Sequence, residues 1–292
     1  MSQPLPFVLI PGLIASPRFY AAQIPMLWHR GPVTIADHTR DDSMAAIARR
    51  ILADAPSRFV LAGHSMGGYI AFEIMRQAAD RVIALALLDT SARADGPEQI
   101  EKRQAQMALA RSGPFAAIAA LQFPAFVHPS RARDKALQAY MAAMANDNNA
   151  DIFIRQQTAI MNRPDARAEL AGIACPTLVI VGDADTATPP ERAQEIASGI
   201  PGAQLVVIKQ CGHMSAIERP DAVTTTLESW LSRILNKGVS VRLKKGSGSV
   251  GFGFGQAAEA PTGRWAVHCA AWRYVVLDSV PIWLGLESAR GP

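Results

Sequence analysis

Residues 59–68 read FVLAGHSMGG, and this segment constrains the architecture of the chain more than any other. Its apolar first half predicts a buried strand, and the apolar run after it predicts a helix that ends near Ala79. Ser65 therefore lies on a turn that joins a strand directly to a helix. Gly63 and Gly67 complete a G-x-S-x-G pattern and leave room for a very tight turn. The sequence thus predicts a serine hydroxyl presented above the carboxyl end of a strand.

Short apolar runs alternate with helical segments on both sides of this turn. The predicted strands cover residues 7–11, 33–36, 59–63, 82–88, 177–181 and 204–208. The predicted helices cover residues 17–28, 43–55 (with Ser43 as the N-cap), 66–79, 190–198 and 220–235. Continuous apolar strands separated by helices are typical of a parallel sheet that helices cover on both faces. The chain is therefore predicted to be an α/β protein with a mostly parallel sheet of about six strands.

One long segment interrupts this alternation. Residues 91–170 contain no convincing strand and are rich in Ala, Gln and Met. We interpret them as several helices inserted between the fourth and fifth strands, at residues 99–111, 115–121 and 133–144. Ligands bind at the carboxyl ends of the strands in such sheets, so the insertion is expected to cover the site as a lid. The predicted core then comprises residues 1–90 and 171–235, and the helical lid residues 91–170.

Residues 236–292 do not continue the pattern. They contain a Gly- and Ser-rich linker, KKGSGSVGFGFG at residues 244–255, and then an apolar stretch without a clear period. We expect a linker and a poorly ordered extension, because the body already ends on an amphipathic helix; an added hairpin or partner-binding segment is the alternative. This tail holds seven of the 29 Lys and Arg but three of the 25 Asp and Glu, so it carries the net charge of +4.

The composition excludes several classes of protein. Hydrophobic residues make up 49% of the chain and charged residues 18%, which rules out a disordered protein. Apolar runs are too short for a membrane span, and the N-terminal residues lack the basic start of a secretion signal. Basic residues in the body are scattered, which argues against nucleic-acid binding. The three cysteines form no C-x-x-C pair, and no His, Asp or Glu cluster has metal-ligand spacing, so we expect a cytoplasmic protein without a metal.

The serine on the tight turn needs two partners to become reactive. A serine hydroxyl is a weak nucleophile, and it requires a base that an acid orients in turn. Two polar segments follow predicted strands downstream of Ser65: GDAD at residues 182–185 and CGH at residues 211–213. The carboxyl ends of parallel strands meet at one edge of the sheet, so the three groups are expected to lie close together.

These segments resemble those of the α/β-hydrolase family, in its lid-bearing serine esterase and lactonase branch, over about residues 5–235. The resemblance rests on GHSMGG, on GDAD-x-x-x-P at residues 182–189, and on CGH followed by an apolar helix. It implies the α/β-hydrolase fold and a triad of Ser65 as nucleophile, Asp185 as orienting carboxylate and His213 as general base and acid. It also implies a cofactor-free enzyme acting on small esters or lactones. We expect a monomer or a homodimer, since relatives carry a hairpin before the first strand and its absence here leaves a shorter sheet edge for a partner chain.

Two other aspartates compete for the role of the acid. Asp183 matches the family position less well than Asp185, and it is more simply a turn residue that binds backbone amides. Asp89 follows the fourth strand and is a further alternative, although we prefer to interpret it as a cap for the loop that begins at Thr90. His64 is expected to point away from the nucleophile into the packing.

The resemblance implies an oxyanion hole made of the backbone amides of Leu13 and Met66. Many relatives have His-Gly before the first of these positions, whereas this chain has Pro-Gly. No Arg or Lys is predicted near the motif, so we expect an apolar pocket and an apolar substrate. The candidate lining residues are Leu13, Ile14, Met66, Met214 and, from the lid, Phe123, Phe126 and Tyr140.

Other activities use the same triad in relatives of this kind. A carbon–carbon bond hydrolase and a cofactor-free haloperoxidase-like enzyme are the alternatives within enzymes. Dehalogenase and epoxide-hydrolase chemistry is disfavoured, because those relatives need Asp in place of Ser65. A ligand-binding receptor that hydrolyses slowly is the alternative from another class of protein, since a fold does not fix a function.

Overall fold

The computed structural model describes residues 4–113 and 115–236, so the predicted C-terminal extension beyond Asn236 lies outside the described residues. The strands are β1 (Phe7–Ile10), β2 (Val33–Ile35), β3 (Phe59–His64), β4 (Val82–Leu88), β5 (Thr177–Gly182) and β6 (Gln204–Ile208). The helices before β5 are α1 (Ile24–Trp28), α2 (Met44–Asp54), α3 (Met66–Ala78), α4 (Pro97–Ser112), α5 (Ala116–Phe126), α6 (Lys135–Asn146) and α7 (Ala150–Met161). The helices after β5 are α8 (Pro190–Gly199), α9 (Ser215–Glu218) and α10 (Pro220–Asn236).

The six strands form one sheet in the order β2-β1-β3-β4-β5-β6, and every neighbouring pair is parallel. All six predicted strands are confirmed. The last residues of neighbouring strands pair with one another, as His64 does with Leu88 and Gly182 with Ile208. The loops that leave β1, β3, β4, β5 and β6 therefore emerge at one edge of the sheet.

Alternate strand residues pack on opposite faces of the sheet, as the two-residue period of a strand requires. In β1, Val8 and Ile10 belong to the core formed with α2, α3 and α8, whereas Phe7 and Leu9 belong to the core formed with α1 and α10. All four side chains are at most 1% exposed. The predicted coverage of the sheet by helices on both faces is confirmed, and this coverage explains why the strands are apolar throughout.

The N-terminal helix predicted over residues 17–28 is wrong as a single element. The structure has a 3₁₀ turn at Pro17–Tyr20 and then α1, which begins at Ile24. Pro25 lies in the first turn of α1, where its missing N–H costs nothing, but it cannot continue a helix from the residues before it. The predicted Ser43 cap is present, since its Oγ accepts from the Ala46 amide at 3.3 Å.

Four helices, α4 to α7, connect β4 to β5. The three segments predicted as helices correspond to α4, α5 and α6, while α7 was not predicted individually. Helix α4 packs on α7, and α5 packs on α6. No helix in the described part of the chain is both long and apolar enough to span a bilayer.

Candidate active site

Ser65 occupies a strained turn between β3 and α3. Its backbone has φ of 52° and ψ of −114°, a conformation that residues with a side chain rarely adopt. The chain around it is crowded: a Cβ on Gly63 would lie 2.3 Å from the carbonyl oxygen of Gly67, and one on Gly67 would lie 2.1 Å from that of Ile10. The two glycines of the motif are therefore required by contact with neighbouring backbone.

The structure brings Ser65, Asp185 and His213 into one hydrogen-bonded chain. His213 Nε2 lies 2.9 Å from Ser65 Oγ, and His213 Nδ1 lies 2.8 Å from Asp185 Oδ2. A carboxylate can only accept, so Nδ1 carries the proton and Nε2 is left to accept from the serine hydroxyl. Asp185 and His213 are both buried, which shields the chain from competing water. The geometry is that of an acid, a base and a nucleophile aligned for proton transfer.

Asp185 is held as a charged group by its own loop. Its Oδ1 accepts from the amides of Ala187 and Thr188 at 2.8 and 2.9 Å, and its Oδ2 accepts from Thr188 Oγ1 at 2.7 Å. Burial alone would raise the pKa of Asp185, but the charge of His213 and these hydrogen bonds outweigh it and hold the pKa below its usual value. Conversely, burial acts to lower the pKa of His213, and Asp185 overcomes it and raises that pKa.

The other two aspartates lie elsewhere. Asp183 Oδ1 accepts from the backbone amide of Cys211 at 3.1 Å, which is the amide-binding role expected for it. The prediction that Asp89 caps its own loop is wrong. Its Oδ1 accepts from the Gly182 amide at 3.0 Å, and its Oδ2 accepts from the hydroxyl of Ser215, so it joins the ends of β4 and β5 to α9. Complete burial and the nearby charge of Asp185 raise the pKa of Asp89.

His64 has a role that the sequence did not reveal. It is buried as expected, and its ring stacks on Phe19 with centroids 3.9 Å apart. Its Nε2 also donates to the backbone carbonyl of His213 at 2.9 Å. Burial and the neighbouring His213 lower the pKa of His64 to about 3, so it stays neutral. His64, next to Ser65, thus supports the loop that carries His213, across 149 positions of chain.

The two amides expected to form an oxyanion hole come from the loop after β1 and from the first residue of α3. Met66 is the first residue of α3, where an amide has no carbonyl one turn earlier in the helix. In the part of the chain that the structure describes, the Leu13 amide donates no hydrogen bond. The loop around Leu13 is anchored by His38 Nε2 on the Gly12 carbonyl at 2.9 Å and by the Ile14 amide on Gln156 at 3.0 Å. These contacts hold the loop that carries the Leu13 amide.

A cavity of about 270 Å³ opens onto Ser65 and His213. Of the predicted lining residues, four border it: Leu13, Ile14, Phe126 and Met214. Three do not. Met66 and Phe123 are buried in the apolar cores, and the Tyr140 hydroxyl donates to the Arg18 carbonyl at 2.8 Å. Met66 and Phe123 bury their apolar surface in the cores instead, as large apolar side chains commonly do.

The expectation of a cavity without Arg or Lys is wrong. Helix α4 places Gln99, Lys102, Arg103 and Gln106 on its wall, and α5 adds Gln122. Positions 99, 102, 103 and 106 repeat with the helical period, so they share one face of α4. This face could not be assigned to the site from the sequence, because polar residues predominate in the first half of α4 and its apolar residues lie mainly in the second half. Among residues 4–113 and 115–236 no group of His, Cys, Asp and Glu is arranged to hold a metal ion.

Comparison with known proteins places these features in context. A model of the alpha/beta hydrolase family matches residues 7–226. "Putative non-heme bromoperoxidase BpoC" of Mycobacterium tuberculosis is 30% identical over 195 residues, which cover 62% of this chain and 70% of that protein. A thermophilic esterase from Thermogutta terrifontis is 30% identical, with a TM-score of 0.72 over 80% of this chain and 91% of that one. An enol-lactonase from Burkholderia xenovorans is 26% identical, with a TM-score of 0.70 over 79% and 92%.

Proposed function

This chain belongs to the alpha/beta hydrolase family, and from that membership we propose that it hydrolyses small carboxylic esters or lactones through Ser65, Asp185 and His213. The observation that carries the proposal is the position of His213, 2.9 Å from Ser65 Oγ and 2.8 Å from Asp185 Oδ2. The similarity to an esterase and to an enol-lactonase supports an ester bond as the target.

The first half of the reaction forms an acyl-enzyme. His213 Nε2 takes the proton of Ser65 as the serine oxygen attacks the carbonyl carbon, and Asp185 stabilises the imidazolium that forms. The amides of Leu13 and Met66 donate to the oxygen that becomes negative in the tetrahedral intermediate. The intermediate collapses, the acyl–oxygen bond breaks, and the leaving alkoxide takes the proton from His213. In a lactone the alcohol stays tethered to the acyl group.

The second half returns the enzyme to its starting state. His213, neutral again, removes a proton from water as the water attacks the acyl carbon. The same two amides hold the oxyanion, and Ser65 leaves with the proton from His213. Each oxyanion donor of this kind typically contributes a factor of about 100 to 1,000 in rate. A strained turn that fixes Ser65 beside these amides is what this chemistry requires.

Helices α4 to α7 serve as the lid of this site in our proposal. They form the connection from β4 to β5, and α4, α5 and α6 each contribute residues to the cavity wall. A cover of this kind excludes water and sets the size of substrate that enters. The cavity of about 270 Å³ lies near the lower end of the usual range for ligand sites, which favours a small substrate.

A cofactor-free haloperoxidase-like activity is the second candidate, and the 30% identity to the relative named BpoC favours it. It would use the same serine, histidine and aspartate. The carbon–carbon hydrolase and the slow-hydrolysing receptor also require these three residues, so the identity of the triad does not discriminate among the four. A panel of substrates for the different activities discriminates among these four candidates.

The testing experiment is hydrolysis of 4-nitrophenyl esters from acetate to laurate, with Ser65→Ala measured in parallel. The proposal predicts turnover of the short esters by the wild type and none by Ser65→Ala. If a fluorophosphonate labels Ser65 while no ester turns over, the nucleophile is reactive and the ester assignment is wrong. Carbon–carbon substrates and halide oxidation with peroxide are then tested. If the fluorophosphonate also fails to label Ser65, the receptor alternative is favoured.

A further inference from the structure

The α4 side of the cavity forms a polar wall that presents hydrogen-bond donors. We define it as the α4 residues Gln99, Lys102, Arg103 and Gln106, which face the cavity. Arg103 can only donate, and its Nη1 donates a hydrogen bond to Gln157 Oε1 at 2.7 Å. Gln157 Nε2 must then be the donor to Gln106 Oε1, at 2.9 Å. This leaves the NH₂ group of Gln106 as its remaining polar group.

A separate contact orients the side-chain amide of Gln99 in the same way, with its oxygen accepting a hydrogen bond and its NH₂ group left as a donor. Its Oε1 accepts from the backbone amide of Gly96 at 2.9 Å, and a backbone amide fixes which end of the side chain is the oxygen. The NH₂ groups of Gln99 and Gln106 have no hydrogen-bond partner among the described residues. Both glutamines therefore have spare donors and engaged acceptors.

Arg103 already has a carboxylate partner. Its guanidinium pairs with Asp95, whose carboxylate is fully buried and also pairs with Arg163 at 2.8 Å. Two arginines share one aspartate in this cluster, so it retains a net positive charge. The two arginines and hydrogen bonding hold the pKa of Asp95 below its usual value against the opposing effect of burial. Asp95 is therefore ionised and is already engaged by its own partners.

Lys102 is the cation of this wall that remains available. It is exposed and also borders the cavity, which places it at the opening. Within residues 4–113 and 115–236 it makes no hydrogen bond or ion pair, and the exposed Glu98 and Glu101 on the same helix do not pair with it. No Asp or Glu of the described chain borders the cavity. This wall therefore offers an exposed ammonium and two amide donors, and no carboxylate of the described chain borders the cavity to oppose an anion.

We propose that the substrate carries a carboxylate, which Lys102 binds at the cavity opening while the ester or lactone carbonyl lies at Ser65. The NH₂ groups of Gln99 and Gln106 add hydrogen bonds to the same anion, and Leu13, Ile14 and Met144 contact the carbon chain between the two ends. The substrate class is thus a half-ester or lactone of a dicarboxylic acid. This inference rests on the proposed function, since it assumes that the bond cleaved lies at Ser65.

The test compares two esters that differ in one charge. The acid is 4-nitrophenyl hydrogen adipate, and its neutral partner is the same ester with the far carboxyl converted to a primary amide. Release of 4-nitrophenolate by wild type, Lys102→Met and Lys102→Arg is measured, and the rate with Ser65→Ala is subtracted as the uncatalysed background. Lys135→Met is the matched control, since Lys135 lies on α6, bonds to Gln138 and does not border the cavity.

Wild type is expected to prefer the acid over the amide in kcat/KM, mainly through a lower KM. Lys102→Met should reduce that preference about five- to tenfold, which is the usual effect of removing a partly solvated charged hydrogen bond. Lys102→Arg should keep most of the preference for the acid, because it keeps the positive charge. Lys135→Met should keep all of this preference. Added salt should weaken the preference, because it screens the interaction between the two charges. An acid-to-amide ratio that is equal in wild type and Lys102→Met overturns the inference.

A binding measurement separates this inference from the proposed function. The monomethyl ester of adipic acid and its terminal amide are titrated calorimetrically into Ser65→Ala and into Ser65→Ala/Lys102→Met. Tighter binding of the acid that is lost with Lys102 supports the carboxylate site even if no ester is hydrolysed. Equal affinities for acid and amide, or a preference that persists without Lys102, contradict the carboxylate site whatever the outcome for hydrolysis.

Discussion

His64 Nε2 donates a hydrogen bond to the backbone carbonyl of His213 at 2.9 Å, so the residue before Ser65 supports the residue whose ring contacts the Ser65 hydroxyl. The centroids of the two imidazole rings lie 5.1 Å apart, and the His64 ring also stacks on the ring of Phe19. Ser65 and His213 leave different strands of the sheet. This hydrogen bond therefore links the strained turn at Ser65 to the loop after β6 that carries His213.

Replacing His64 tests this link. His64→Ala removes the donor and leaves the His213 carbonyl without its partner. Leaving a buried polar group unpaired lowers the free energy of unfolding by about 1–3 kcal/mol. We expect kcat to fall about tenfold or more, and His64→Gln, which can still donate, to recover part of it. Because the pKa of His64 is about 3, neither variant should change the acidic limb of the pH profile. A lower melting temperature with unchanged kcat would show a role in folding alone.

The acid is tested by a pair of conservative substitutions. Asp185→Asn cannot hold the imidazole in the correct tautomer and should lower kcat about 1,000- to 10,000-fold. Asp183→Asn is the matched control, because it alters the contact of a neighbouring turn with Cys211 and leaves the triad intact. It should change kcat less than about threefold. If Asp183→Asn is the variant that loses activity, the acid is misassigned.

Activity is expected to fall as the pH is lowered, because a protonated His213 cannot accept the proton of Ser65. Burial acts to lower the pKa of His213, but the charge and hydrogen bond of Asp185 outweigh it and raise the pKa above its usual 6.5. The acidic midpoint of the kcat/KM profile should thus lie above pH 6.5 and should move down in Asp185→Asn. A profile that is flat down to about pH 5 is incompatible with His213 as the base.

The tight turn predicts a sharp difference between two glycines. A Cβ on Gly67 would lie 2.1 Å from the backbone oxygen of Ile10, whereas a Cβ on Gly172 has no neighbour within 4 Å. Gly67→Ala should destabilise the protein by about 1–3 kcal/mol or prevent folding, as overpacking does. Gly172→Ala should be neutral within about 0.5 kcal/mol. Urea unfolding of both variants checks this, and equal midpoints would mean that the turn is less crowded than described.

Local sequence signals were enough for the sheet and for the approach of the three polar groups. Each strand is apolar over its whole length, and Ser65, Asp185 and His213 each follow a strand that ends at the same edge. Apolar runs and the polar residues that follow them can be recognised from residues that are adjacent in the sequence. Their order along the chain and the glycines around Ser65 predicted that the three groups meet at one edge of the sheet, and the resemblance to a known family selected Asp185 over Asp183 and Asp89 as the expected acid.

The features that the sequence did not reveal depend on long-range packing. The bond from Asp89 to Ser215 spans 126 positions, and the anchoring of Ile14 by Gln156 spans 142. The cavity face of α4 is equally hidden, because the apolar residues of this helix lie mainly in its second half and form no continuous stripe along its length. Lys102 could be assigned to the site only once α4 was placed over the sheet edge.

The most direct test of the account is to trap the acyl-enzyme. Wild-type protein mixed with 4-nitrophenyl acetate and quenched in acid is digested, and the peptide that contains Ser65 is examined by mass spectrometry. The account predicts one acetyl group on Ser65, formed on the timescale of the nitrophenolate burst, and no acetyl group or burst in Ser65→Ala. Turnover that continues in Ser65→Ala, or turnover by wild type without acetylation of Ser65, would contradict it.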